Sequence, residues 1–108
     1  MEVFSLPRFA LEVVPERARV TLRVAGELDI ATVAELEHAV AELRASGWTA
    51  ITLDLAEVAF IDSTGLALLL RLARSPGAEG GAIAIGASCP ALERLVAVSK
   101  LEHALPRG

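Results

Sequence analysis

Phe60-Ile61-Asp62-Ser63-Thr64-Gly65-Leu66-Ala67-Leu68-Leu69-Leu70 is the stretch on which the reading of this chain turns. An apolar run with strand-like alternation, Ala50-Ile51-Thr52-Leu53-Asp54-Leu55, precedes it, and aliphatic residues continue after it to about Arg74. The pattern predicts a strand, a short polar turn and a helix that starts at once. Backbone N–H groups at a helix start are unpaired and the local potential is positive, so a hydroxyl there stands where an anion is welcome. A phosphate on Ser63 would find electrostatics that suit it while presenting new negative charge to a docking partner. Ser, Thr and Asp are also the preferred N-cap residues, so Asp62-Ser63-Thr64 equally fits a plain cap. Two features favour a contact site. Three polar residues stand where one would suffice, and Gly65 leaves the first turn without a side chain to obstruct an approaching surface.

The helix adds a third. At about 100° per residue, Leu66, Leu69, Leu70 and Ala73 share one stripe, which is assigned to the core. Leu68 then points nearly opposite, with Leu72 on the flank between. A helix that is apolar most of the way round is either deeply buried or a contact surface. Leu68, beside the Ser63 turn, is therefore expected in a protein-binding patch, the alternative being that it packs beneath a neighbouring loop.

Upstream, Phe9–Val14 and Arg19–Val24 alternate with period two around Pro15-Glu16-Arg17-Ala18, which predicts a hairpin with Val20, Leu22 and Val24 on its buried face. Gly26-Glu27-Leu28-Asp29 is read as ending the hairpin and feeding a helix over roughly Thr32–Ser46, with Val33, Leu36, Val40 and Leu43 inward. Thr32 and Glu35 fit a capping box, and Gly47 is a natural stop. Trp48 is placed to cover the edge of the core, and His38 falls on the polar side as a solvated residue. Downstream, Ser75–Gly81 reads as a loop and Ala82–Gly86 as a strand covered on both faces. Ser88-Cys89-Pro90 starts a last helix with Leu92, Leu95 and Val96 inward, and the tail offers a short strand or packed coil. The order β-β-α-β-α-β-α predicts an α/β domain, a mixed sheet of about four to five strands with three helices mainly on one face.

At 108 residues the chain reads as one domain, 1–108, with 54% hydrophobic residues, enough for a single core and too many for disorder. A net charge of −4 without a Lys/Arg cluster gives no footprint for nucleic acid or an anionic membrane. Cys89, the only cysteine, excludes an internal disulfide and argues against a cysteine-built metal site. Its expected role is a small buried or capping side chain. The first residues lack the pattern of a signal peptide, and no run approaches the roughly 18 apolar residues of a membrane span, so a cytoplasmic location is expected.

Gly26-Glu27-Leu28-Asp29-Ile30-Ala31-Thr32, Asp54-Leu55 and Phe60–Leu66 together resemble the STAS domain, and more narrowly the bacterial anti-sigma factor antagonists. The likeness runs from Phe9 to Leu105 and implies a STAS-like fold. It also implies a partner switch. The unmodified protein would bind an anti-sigma factor that is also a serine kinase and so release the sigma factor. The kinase would then phosphorylate Ser63 and end the association, and a serine phosphatase would reverse the modification. Asp62 and Thr64 match the neighbours of the phosphorylated serine, and Asp29 matches an acidic residue placed near that turn. The expected partner-binding set is Asp29, Asp62, Ser63, Thr64, Gly65 and Leu68, with no cofactor and no metal. STAS domains also serve as the soluble subunit of a bacterial phospholipid-transport ABC complex, docked on its ATPase, which is the alternative reading. An enzyme built on Glu27/Asp29 or Asp54/Asp62 is discounted, because no His or Lys lies near them in sequence to complete a site. No phosphate-binding glycine loop is present either, so nucleotide handling falls to the partner.

Overall fold

Period-two alternation builds the opening hairpin: β1 (Phe9–Pro15) runs antiparallel to β2 (Val20–Leu28), with Leu11 opposite Val24 and Val13 opposite Leu22. After α1 (Val33–Ala45), β3 (Ala50–Ile61) pairs parallel to β2; α2 (Ser63–Arg74) follows, then β4 (Ala82–Ile85), parallel to β3, and α3 (Pro90–Ser99). The computed structural model describes residues 8–74, 82–100 and 104–107. The Ser75–Gly81 loop reading, the first seven residues and His103 lie outside the described residues. Sheet order is β1-β2-β3-β4, so the chain forms the expected mixed α/β sheet with its N-terminal hairpin, with four strands of the four to five expected.

One face of the sheet carries the core. Val20, Leu22 and Val24, then Ile51, Leu53 and Leu55, then Ile83 and Ile85 are buried with Leu36 and Val40 of α1, Leu69 and Leu72 of α2, and Leu92 and Val96 of α3. The opposite face shows Thr21, Arg23, Thr52 and Asp54, half-buried or exposed, and no helix layer covers it among the described residues. Ala84 of β4 is accordingly half-buried, so the expectation that this strand is covered on both faces is corrected: its outward alanine is small and apolar, not enclosed.

Two strands outrun their sequence reading. β2 continues through Gly26–Leu28, and β3 runs six residues past Leu55, to Ile61. Register shifts between Arg23 and Ala25 and between Gly26 and Glu27 insert extra residues into β3, so its buried positions become Leu55, Val58 and Ile61, spaced by three. A bulge breaks the period-two signal while the strand persists. Trp48 packs half-buried against the core, as expected, and Cys89 is buried at the start of α3 without a side-chain capping bond. The tail settles as packed coil with one strand-like contact: Leu105 is buried, the Ile85 N–H donates to the Pro106 carbonyl at 2.7 Å, and Arg107 reaches Glu93 at 2.9 Å.

Candidate partner-docking site

The ends of β2 and β3 lie side by side, Leu28 opposite Ile61, and both strands hand over to helices there. The Asp62 N–H donates to the Leu28 carbonyl at 3.2 Å, which ties the two turns together. This register brings Asp29 to the same end of the sheet as Asp62, Ser63 and Thr64, positions 33 or more residues apart in the chain.

Asp29 is buried, and it organises the first turn. Its Oδ1 accepts the Ala31 N–H at 2.9 Å, while its own N–H donates to Thr32 Oγ1 at 3.0 Å. The Thr32 hydroxyl donates to the Glu27 carbonyl at 2.7 Å and makes no side-chain cap for α1. The capping-box reading of Thr32 and Glu35 is therefore corrected: the hydroxyl is spent on the strand it follows, where two backbone groups of the turn need partners. Arg8 closes the rim with Nη2 at 2.6 Å from Glu27 Oε1 and 3.5 Å from Asp29 Oδ2. The Glu27 hydrogen bond, then the charges of Glu27 and Asp29, raise its pKa above the ordinary arginine value.

In the second turn the three polar residues divide the work. Asp62 Oδ1 accepts the Gly65 N–H at 2.9 Å, and the Asp62 carbonyl accepts the Leu66 N–H at 3.0 Å, so Asp62 is the cap. Ser63 is exposed, and its hydroxyl has no hydrogen-bond partner among the described residues; Thr64 is half-buried. We expect Asp62→Ala to lower stability by about 0.5–2 kcal/mol, measured by thermal unfolding, as for other lost caps.

Gly65 is corrected from an open approach to a packing contact. It is buried, and a Cβ built there would stand 2.5 Å from the Leu28 carbonyl oxygen and 3.0 Å from Ile61 Cγ2. The close approach of α2 to the end of β2 needs a residue without a side chain. In an ordinary helix, Gly to Ala gains about 1 kcal/mol. Here overpacking, about 1–3 kcal/mol, opposes it, so Gly65→Ala is expected to lower the melting temperature, and a rise would show that the contact is absent.

Leu68 is likewise corrected. It is 0% exposed, alongside buried Leu66, Leu69 and Leu72, so it belongs to the core and not to a surface patch. The water face of α2 is instead Ser63, Ala67, Arg71 and Arg74, all exposed, with Leu70 half-buried among them. Arginine heads must reach water, and that requirement rotates the apolar stripe toward Leu68 and Leu72. The stripe that spacing draws through Leu66, Leu69, Leu70 and Ala73 is thus turned, with Leu70 and Ala73 only half-buried.

Side chains that the reading passed over also stand here. Ile30, 76% exposed, sits on the β2–α1 turn beside Asp29, and Phe60, 49% exposed, sits three residues before Ser63. Neither could be found by period: Ile30 lies in a turn and Phe60 follows a bulge. The two carboxylate pairs considered for acid–base chemistry are otherwise engaged, Glu27 and Asp29 with Arg8, and Asp54 with the Ala56 N–H and Arg23. No group of three or more potential metal ligands occurs among the described residues, and none of their helices is long and apolar enough to cross a membrane. The turn pair thus offers a hydroxyl unpartnered among the described residues and an apolar fringe at one end of the sheet, suited to contact and covalent marking.

Comparison with known proteins places these features in a family. Residues 12–107 match the family model described as Mlab, STAS domain. An anti-sigma-B factor antagonist from Staphylococcus epidermidis is 43% identical over 49 residues, 45% of this chain and 45% of its own. The chain thus aligns with about half the length of that curated relative. Among solved structures, an anti-sigma factor antagonist from Mycobacterium paratuberculosis superposes with a TM-score of 0.79 at 28% identity, over 96% of this chain and 89% of that one. SpoIIAA of Bacillus, solved in its phosphorylated form, superposes with a TM-score of 0.65 at 26% identity, over 93% and 90% of the two chains.

Proposed function

Matched over most of its length, the chain belongs to the STAS domain family, and from that premise we propose that it is an anti-sigma factor antagonist switched by phosphorylation of Ser63. Unmodified, it binds an anti-sigma factor that is also a serine kinase and so frees the sigma factor. Phosphorylated on Ser63, it lets go, and a serine phosphatase restores it. The observation that carries this reading is the division of labour at the α2 start: Asp62 supplies the cap, leaving the Ser63 hydroxyl exposed and without a partner among the described residues. The similarity to a SpoIIAA structure in the phosphorylated form supports it.

The physics of the switch follows from that geometry. A phosphate on Ser63 adds about −1.5 to −2 charge beside the Asp62 carboxylate. Inside the molecule that repulsion is offset by the helix N-terminus, where two N–H groups, those of Ser63 and Thr64, make no hydrogen bond among the described residues. Against a partner surface shaped for a neutral hydroxyl, no such offset exists. The charge therefore acts on docking and leaves folding nearly unchanged.

Co-purification from the native host tests this reading. Recovery of a small ATP-binding serine kinase that releases a sigma factor is the expected result; recovery of a transport ATPase instead would establish the second reading, a transport-complex subunit. One observation favours that second reading: the matching family model carries the description Mlab rather than that of an antagonist.

A further inference from the structure

Between the last residues of β3 and the outer side of α3 lies an open groove of about 390 Å³, lined by Phe60, Ile61, Ala91, Arg94, Leu95 and Val98. Ala91, Leu95 and Val98 recur at helical spacing along α3, so the groove has an apolar wall one helix long. Val98 is 82% exposed and Phe60 49%, both large apolar surfaces on the same groove. Isolated apolar side chains on a surface need no explanation, but a contiguous set around a concavity marks an interaction site.

The charge in the groove chooses its occupant. Among the described residues Arg94 is the only charged one lining the groove, and none of their carboxylates lies within 4 Å of its guanidinium. On a chain of net charge −4, a lone cation set in an apolar wall is a local exception to the overall field. An apolar segment carrying a carboxylate complements it, the apolar side against Phe60, Leu95 and Val98 and the carboxylate on Arg94 in a two-pronged hydrogen-bonded pair. The groove also leads directly into the switch, because Phe60 and Ile61 are followed by Asp62 and Ser63.

We propose that this groove seats an acidic, apolar segment of the same anti-sigma partner, an anchor separate from the Ser63 contact. The proposal rests on the antagonist reading and deepens it: the groove supplies the apolar part of the docking face that Leu68, being buried, does not. Anchor and switch then have different tasks, the groove holding the partner and Ser63 deciding whether it stays.

The test measures affinity, by calorimetry, of the ATP-binding kinase recovered with this chain from its native host, for the wild-type chain and for Arg94→Glu, Val98→Glu, Ser63→Asp and Val13→Glu. Val13, on the edge strand and also half exposed, lies outside the groove and serves as the control. Arg94→Glu and Val98→Glu are expected to bind at least tenfold more weakly with melting temperatures unchanged, and Val13→Glu to bind as wild type. Wild-type affinity in both groove variants, with Ser63→Asp weakened, would overturn the groove and leave the switch standing. A wild-type chain that binds no such kinase would overturn the antagonist reading and the groove with it.

Discussion

Ser63→Asp is expected to weaken binding to the anti-sigma partner at least tenfold, and phosphoserine at the same position about a hundredfold, equivalent to about 3 kcal/mol. The difference follows charge, since aspartate carries one negative charge and the phosphate about −1.5 to −2. Like charges brought together at an interface cost several kcal/mol, while the same charge at a helix start is worth about 0.3–1 kcal/mol of stabilisation. Melting temperature should therefore hold or rise slightly as affinity collapses. Ser63→Ala sharpens the argument. Were Ser63 the cap, its loss would cost about 1 kcal/mol. With Asp62 Oδ1 on the Gly65 N–H, the change should stay within about 0.5 kcal/mol, as for an exposed site.

Leu68→Ala should act in the opposite way. Its side chain is 0% exposed within a continuous core, so truncation leaves a cavity between α2 and its neighbours. Comparable truncations cost about 2–5 kcal/mol. In a domain of this size that lowers the melting temperature by about 8 °C or more. The fraction that remains folded should bind the partner as the wild type does. A variant with wild-type stability and lost affinity would return Leu68 to the surface. The pair of substitutions thus separates what the turn does for docking from what the helix does for folding.

The hairpin, the first half of β3, the body of α2 and the start of α3 at Pro90 were all legible, because each is a local pattern: alternation, an apolar run after a polar stretch, a proline in a first helical turn. The helix α2 itself begins at Ser63, inside the Asp62–Gly65 stretch expected as a turn. Illegible were the features that depend on a neighbour. The extension of β3 to Ile61 hides behind bulges that change the buried spacing from two to three. The role of Gly65 depends on a carbonyl of β2 that is 37 positions earlier in the chain. Thr32 looked like a helix cap because its spacing to Glu35 is right, yet the end of β2 claims its hydroxyl first. The burial of Leu68 is a different case. Arg71 and Arg74 mark the wet side of α2 within the sequence itself, and the buried stripe lies opposite them.

At the site, the sequence could name Asp62, Ser63 and Thr64 but not say which was the cap and which was free. That distinction is a matter of one hydrogen bond, and it separates a structural serine from one available for modification. Asp29 could be named only through resemblance; its place beside the Ser63 turn comes from the parallel register of Leu28 with Ile61.

The most direct measurement mixes the purified chain, its kinase partner and ATP, and follows intact mass, phosphate position and complex size together. A single phosphate appearing on Ser63, with the complex falling apart at the same rate, is what the account predicts. Phosphate on another residue, or a complex that persists once Ser63 is fully modified, would contradict it.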